Sequence, residues 1–164
     1  MPNWRDVSDE LKSLLEGVDS VGVVYDYPPE FREEFDYKDL ATSWDDDTNK
    51  PIINVWIVER TAVTDKRGGQ AAGVCLTKAA REDTYRIMGF YGFGKDGKTY
   101  FEFQAVVEDV LDALLNSVTL GGHAGWVAFA AIARSLDFRR FGPYLCHWAE
   151  ITITVHRRLT PTFA

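Results

Sequence analysis

The pattern of apolar and polar positions centres on Tyr85–Phe93, a run rich in aromatic residues that favour β-structure. Such a run predicts a β-strand. Tyr85, Ile87, Gly89 and Tyr91 share one face of this strand. Residues 94–97 read GKDG, which is typical of a turn and ends the predicted strand.

A helical pattern follows this turn directly. Its apolar residues recur at helical spacing: Phe103, Val106, Val107, Val110, Leu111, Leu114 and Val118. This spacing predicts an amphipathic helix with one face on a core. We expect Thr99 to be its N-cap, with Glu102 three residues later completing a capping box. A strand beside such a helix predicts a layer of helices that covers a sheet.

The remaining segments supply that sheet and a second helix. An apolar stripe after Asp6 or Ser8, the candidate caps, predicts a first helix that ends near Gly17. The stripe consists of Val7, Leu11, Leu14, Leu15 and Val18. Strands are predicted at Ser20–Tyr27, Ile52–Val63 and Leu145–Val155. The alanine-rich stretch Trp126–Leu136 fits either a strand or a helix.

Two segments, about 28–51 and 64–83, are too long for simple connections inside a compact domain. In the first we expect one or two helical turns anchored by Phe31, Phe35 and Leu40. The second is predicted to be either a long β-hairpin arm or a mobile loop between two strands. The complete pattern predicts one domain over residues 1–164, of the α+β class. We expect a two-layer sandwich in which two helices cover one face of a mixed, mostly antiparallel sheet.

Composition and charge narrow the classes of function. Hydrophobic residues make up 46% of the chain and aromatic residues 13%, enough for a substantial core. The formal net charge of −7 argues against non-specific binding of nucleic acid. The stretch from Asp26 to Asp47 holds nine acidic and two basic residues, so its charge of −7 equals that of the whole chain. Two distant cysteines, Cys75 and Cys146, indicate a reducing compartment.

Candidate catalytic and metal-binding residues are few. The acidic run Asp45, Asp46 and Asp47 offers oxygen ligands for Mg²⁺ or Ca²⁺. Adjacent residues point in different directions, however, so we interpret the run as a solvated or partner-facing patch. Cys146 and His147 would face opposite sides of a sheet, which argues against a nucleophilic pair. We therefore expect no enzyme activity, no cofactor and no bound metal, and we interpret His147 as a structural histidine.

The predicted surface offers clearer candidates, for contacts between subunits. On the last strand, Trp148, Glu150 and Thr152 alternate with core residues, and a face that mixes Trp with Thr and Glu suits a subunit contact. Charged side chains of opposite sign are the other candidates. They are Arg139, Arg140, Lys66 and Arg67 on the basic side and Asp45, Asp46 and Asp47 on the acidic side.

Four segments together resemble the tail terminator proteins of long-tailed bacteriophages. They are PIINVWIVER at Pro51–Arg60, YRIMGFYG at Tyr85–Gly92, FEFQAVVEDVLDALL at Phe101–Leu115 and LCHWAEITITV at Leu145–Val155. The resemblance covers most of the chain, in pattern more than in identity. Its most telling part joins an F-x-x-x-V-E helix to a final HWAEITITV strand.

The resemblance implies a small α/β subunit that forms a hexameric ring at the head-proximal end of the tail tube. There the ring would stop polymerisation of the tail tube protein and offer a surface to the head completion, stopper or connector protein. Its place would be the tail or neck of the virion, after assembly in the host cytoplasm, with no membrane partner. An acidic ring would let phage DNA pass through without specific binding.

Other functions stay open at this point. Another neck component, such as a head completion or stopper protein, has a similar small fold. A monomeric ligand-binding domain would use a pocket near His123 and Trp126, and a hydrolase would use the run from Asp45 to Asp47. Oligomeric state separates these classes, because only the first two functions, terminator and neck component, predict a ring.

Overall fold

The structure, a computed structural model, describes residues 3–29, 40–45, 50–66, 79–94, 97–122, 126–129 and 133–159. For a few strand residues, namely 41–45, 50–51, 66, 79–80, 126–129, 133–136 and 158–159, the description covers the backbone alone. In chain order the elements are α1 Trp4–Glu16, β1 Val23–Tyr25, β2 Ala41–Asp45, β3 Lys50–Lys66, β4 Ala79–Gly92, α2 Lys98–Asn116, β5 Trp126–Phe129, β6 Ala133–Phe141 and β7 Tyr144–Leu159. A 3-10 turn at Leu120–Gly122 follows α2.

The strands form one mixed sheet with the order β1-β3-β4-β7-β5, in which β2 also pairs with β3 and β6 also pairs with β7. Only the β1–β3 pair is parallel among the described strands, and the other pairs are antiparallel. The predicted α+β class and sheet type are therefore confirmed. The stretch that fitted either a strand or a helix contributes β5 and the start of β6, both paired with β7.

Both helices pack on one face of this sheet. The alternation in β4 puts Ile87 on that face, and its cross-strand partners Val58 and Ile151 share it. The helices contribute Val7, Leu11 and Leu15 from α1 and Phe103, Val106, Val107, Val110 and Leu114 from α2. Gly89 must be small here because a Cβ atom would lie 2.8 Å from the buried indole of Trp56. The pattern of apolar positions thus predicted most of the core correctly. Val118 is the exception, because α2 ends at Asn116 and the Val118 side chain is 52% exposed.

The start of each helix differs from the prediction. Helix α1 is capped by Asn3, whose Oδ1 accepts from the backbone N–H groups of Arg5 and Asp6. The Asp6 carboxylate accepts in return from the backbone N–H of Asn3, so a capping box forms. The predicted caps were Asp6 and Ser8, so α1 begins about one turn earlier than predicted. Helix α1 ends at Gly17, as predicted.

Thr99 is not the N-cap of α2, and this expectation is wrong. Gly97, with φ of 72°, takes that position without a side-chain cap, and Thr99 lies inside the first turn. The Thr99 hydroxyl instead accepts from the backbone N–H of Gly94, and Glu102 accepts from the hydroxyl of Tyr91 at 3.1 Å. A buried neighbour, His147, holds Thr99 against the sheet, and tertiary packing overrides the local capping signal.

The predicted choice between an arm and a loop is resolved in favour of an arm. Strands β3 and β4 stay paired beyond the helix-covered core, from Ala62 opposite Thr84 out to Lys66 opposite Ala80. β7 continues beside them, with Leu159 opposite Ala79. We call this three-stranded extension the arm. Residues 62–65 of the arm are exposed, whereas 67–78 lie outside the described residues.

The acidic insert contains one more strand, β2, which pairs with the beginning of β3. Leu40, a predicted anchor of this insert, is buried at 3% exposure. The other two predicted anchors, Phe31 and Phe35, lie outside the described part of the chain, as do the helical turns expected there.

Candidate interaction surfaces

The sheet face opposite the helices is the first candidate surface, and we call it the open face. No helix in the described residues packs on it. Cross-strand pairing arranges it in rows: Val55, Phe90 and Trp148; then Ile57, Met88 and Glu150; then Glu59, Arg86 and Thr152. The face thus changes from apolar at one end to charged at the other.

Trp148 lies in the apolar end and is only 5% exposed, so its predicted place as an exposed contact residue is wrong. It belongs to a second buried cluster, formed by Leu40, Ile53, Val55, Ile57, Met88, Phe90, Phe141 and Cys146. The guanidinium carbon of Arg139 lies 3.5 Å from the centre of a Trp148 ring, a cation–π contact. Alternation predicted correctly on which face of the sheet Trp148 lies. On that face, however, the Trp148 side chain is buried by residues of other segments, among them Leu40 and Phe141.

The charged end of the open face is partly accessible to solvent. The Arg86 guanidinium lies between two carboxylates: its Nε donates to Glu59 at 3.1 Å, and its Nη1 lies 3.9 Å from Glu150. Thr152, directly opposite Arg86, is half-buried. Because these charges already have partners, a second protein could cover this end without leaving an unpaired charge. The predicted contact residues Glu150 and Thr152 therefore lie on a suitable surface.

Arg139 and Arg140 do not form one basic patch. Arg139 is opposite Cys146 and lies on the open face, over Trp148. Arg140 is opposite Leu145 and points to the other side, where its Nη1 donates to the Pro143 carbonyl at 3.4 Å. Adjacent strand residues alternate between faces, so only one of the two arginines is available to any one contact surface.

Of the other predicted contact residues, the structure describes two by their backbone alone and three not at all. Asp45 ends β2 opposite Lys50, and Lys66 ends β3, but their side chains are outside the description. Asp46, Asp47 and Arg67 lie wholly outside the described residues. In the part of the chain that is described, no group of three His, Cys, Asp or Glu side chains is arranged to hold a metal ion.

A buried ionic cluster at the base of the arm was missed by the sequence analysis. The Asp83 carboxylate is fully buried and lies between two arginines, Arg60 of β3 and Arg157 of β7. The same Arg60 lies over the Trp4 ring at 5.3 Å, and the Tyr85 hydroxyl donates to the Trp4 carbonyl at 2.8 Å. Burial raises the pKa of Tyr85 above its ordinary value. Three strands and the start of α1 are joined here.

His147 and Cys146 lie on opposite faces, as predicted. The imidazole Nε2 of His147 is 3.2 Å from the Thr99 hydroxyl, and burial lowers the pKa of the ring below its ordinary value. Cys146 lies in the open-face cluster, where burial raises the pKa of its thiol to about 12. A protonated, buried thiol is a poor nucleophile. The two side chains are arranged as core residues.

The lowered pKa of the buried His147 predicts that the folded protein loses stability in mild acid. Because its pKa is lower in the folded chain than its ordinary value of 6.5, the unfolded chain binds a proton that the folded chain excludes. The free energy of unfolding should therefore fall as the pH drops below about 6.5, by at most about 1.4 kcal/mol per pH unit from this group. Urea denaturation between pH 7.5 and 5.5 measures the slope.

The His147→Gln variant is the control for this effect, because glutamine keeps a polar group but does not titrate. Equal pH slopes for the variant and the wild-type protein would show that His147 does not cause the loss.

Comparison with known proteins adds no family assignment. No family model matches this chain, and a search of curated proteins found no significant match. Within the described residues, no helix is long and apolar enough to cross a membrane. The function therefore has to be argued from the residues and their geometry.

Proposed function

We propose that this protein is a phage tail terminator: a structural subunit that assembles into a closed ring on the head-proximal end of the tail tube and stops its polymerisation. The observation that carries the proposal is the division of the sheet. One face is covered by two helices, whereas the open face ends in a half-exposed charged row and the strands continue into the arm. The pattern resemblance to tail terminators supports the same assignment.

A ring requires two different surfaces on each subunit that meet head to tail. The open face and the arm are different surfaces of one sheet, and each carries side chains available for contact. At the charged end of the open face, Arg86 is paired with Glu59 in its own row and with Glu150 in the next row. Such a surface suits a contact whose specificity comes from charge and whose affinity comes from adjacent apolar groups.

The net charge supports a ring around DNA. The formal charge of −7 per subunit gives an assembled ring a strongly negative field. Phosphate groups are repelled by such a field, so DNA passes without being held. The proposed partners are a second copy of the chain, the tail tube protein and the head completion, stopper or connector protein, and the proposed location is the neck of the virion.

Deletion of residues 66–73 tests the role of the arm. We expect the variant to fold, because the described strand ends beside the deletion, Lys66 opposite Ala80, lie beyond the helix-covered core. We expect it to bind tail tube ends at least about tenfold more weakly. Tails assembled with it should run longer than wild-type tails, since polymerisation is not stopped. Tail lengths measured in electron micrographs give the readout.

The control for this deletion is the thermal unfolding of the isolated variant beside the wild-type protein. A cooperative transition at a similar temperature shows that the subunit is folded. A folded variant that still forms rings and still yields tails of normal length would mean that the arm has no part in assembly.

A further inference from the structure

One edge of the arm, along β3, has no strand beside it within the described residues. β4 pairs with one side of β3 from Asn54 to Lys66, whereas β1 pairs with the other side only as far as Ile57. We call the backbone of Glu59–Lys66 on that second side the outer edge. Residues 62–65 have exposed side chains there, with Val63 at 47%. The outer edge is therefore open to a further strand.

The charge pattern of the outer edge indicates which strand fits it. The edge reads ERTAVTDK, with two charged residues at each end and four uncharged residues between them. Read from its start, the charged residues are Glu59 and Arg60, and read back from its end they are Lys66 and Asp65. Opposite signs therefore meet when the edge pairs antiparallel with a second copy of itself.

A bulge in β3 fixes the register of such a pairing. The register with β4 shifts between Arg60 and Ala62, so Thr61 is an extra residue in the strand. With Thr61 as the bulge, a two-fold axis at Val63 gives four kinds of cross-strand pair. They are Glu59 with Lys66, Arg60 with Asp65, Ala62 with Thr64, and Val63 with its own copy.

Both positions of each charged pair belong to the same face of the sheet, as antiparallel pairing requires. Positions 60 and 65 are opposite β4 positions 85 and 81, which are an even number of residues apart and share one face. Positions 59 and 66 are opposite β4 positions 86 and 80, which share the other face. Without the bulge, positions 59 and 66 would lie on different faces and could not pair.

The ion pairs already present in the arm fit this contact. Asp65 pairs with Arg81 on β4, and in the shared sheet its other neighbour is Arg60 of the second copy. Glu59 accepts from Arg86 on β4, and its other neighbour is the lysine that ends β3 in the second copy. Each carboxylate then lies between two cations, so the contact brings no like charges together.

We propose that two copies of this chain pair along their outer edges, antiparallel and about a two-fold axis at Val63, so that one continuous sheet runs through both arms. The contact is isologous because the same edge serves on both sides, whereas the ring proposed above needs two different surfaces. It is a second self-contact, additional to the ring. In the free protein it covers an edge that would otherwise pair with unrelated chains.

A disulfide at the two-fold axis tests the register directly. In the Val63→Cys variant, the two new thiols lie on directly opposite residues, whose Cα atoms are about 4.5–5.5 Å apart, within the span of a disulfide. The background carries Cys75→Ser, and the remaining Cys146 is buried. We expect mild oxidation without tail tubes to give a covalent dimer in non-reducing electrophoresis.

Phe138→Cys in the same background is the control for random collisions. Phe138 lies on the strand β6 and is 55% exposed, close to the exposure of Val63. This variant should stay monomeric under the same oxidation. A Val63→Cys protein that forms no covalent dimer, or forms it no faster than Phe138→Cys, overturns the proposal.

A charge exchange gives an independent readout. Glu59→Lys and Lys66→Glu each put like charges at both outer pairs of the dimer, so each should raise its dissociation constant at least about tenfold. In an equimolar mixture of the two variants, the mixed dimer has opposite charges at both outer pairs again and should form as readily as the wild-type dimer. Sedimentation equilibrium measures the constants, and native mass spectrometry identifies the mixed dimer.

The recovery in the mixture also shows that both variants are folded. Unchanged dissociation constants in the two variants, a mixture that dimerises no better than either variant alone, or a monomeric wild-type protein overturns the proposal. All these measurements are made without tail tubes, so they are independent of the terminator function. Dimers linked at Val63 in a protein that never caps tubes would contradict that function and leave this contact in place.

Discussion

The Asp83→Asn substitution is expected to lower the free energy of unfolding by about 3–5 kcal/mol. The carboxylate is fully buried between Arg60 and Arg157, so its charge is shielded from water and interacts strongly with both guanidinium groups. Asparagine has nearly the same shape but no charge, and the two arginines are then left without their anion in a desolvated site. Equilibrium denaturation in urea at pH 7 measures the loss.

Asp65 is the matched control for this experiment. It is also an aspartate of the hairpin paired with an arginine, Arg81, but its side chain is 57% exposed. The pair raises the pKa of Arg81 through the hydrogen bond to Asp65. Solvent screens exposed ion pairs, so Asp65→Asn should change stability very little. A comparable loss in both variants would show that burial of Asp83 is not the cause.

Leu114→Ala is expected to cost about 2–5 kcal/mol, the second large effect. Leu114 lies in α2 at 1% exposure, in the core between the helices and the sheet. Truncation removes buried apolar contacts and leaves a cavity that a rigid sheet cannot close. Chemical denaturation gives the value, and the transition should remain cooperative.

The neighbouring residue supplies the control. Leu115 has the same side chain in the same helix but is 56% exposed, so Leu115→Ala should cost less than about 1 kcal/mol. Leu111, which the helical pattern places beside Leu114, is only partly buried and should give an intermediate loss. Similar losses at Leu114 and Leu115 would contradict the observed orientation of α2.

Periodicity was sufficient to predict the fold class, because the core depends on which residues face the helices. The alternation through Tyr85, Ile87 and Tyr91 and the helical stripe through Phe103 and Leu114 describe the two sides of that core. The α+β sandwich follows from these positions alone. The ambiguity at Trp126–Leu136 arose because alanine has no strong preference for either period, and pairing with β7 decided it.

Local signals failed where distant segments intervene. Thr99 has the chemistry of an N-cap, yet its hydroxyl lies beside His147, which is 48 residues away. Trp148 has the alternation of an exposed residue, yet Leu40 and Phe141 share its buried cluster and Arg139 lies over it. Neither contact is encoded in the neighbouring residues.

The candidate site was predicted less completely than the fold. Glu150 and Thr152 lie on an accessible surface as expected, but the exposed apolar side chains of Phe93, Phe101, Phe138 and Leu145 were not anticipated. These four residues share no spacing in the sequence. The register of β4, β6 and β7 places Phe93, Phe138 and Leu145, and α2 adds Phe101. The sequence did hold a signal for the buried Asp83. It lies two residues before Tyr85, so the alternation of a strand places both side chains on the face that packs in the core.

Negative-stain electron microscopy of the purified protein, alone and mixed with tail tubes, tests the terminator function most directly. The account predicts closed rings of this protein at one end of each tube and no further growth of tubes that carry a ring. A protein that stays monomeric and leaves both tube ends bare and growing would contradict it.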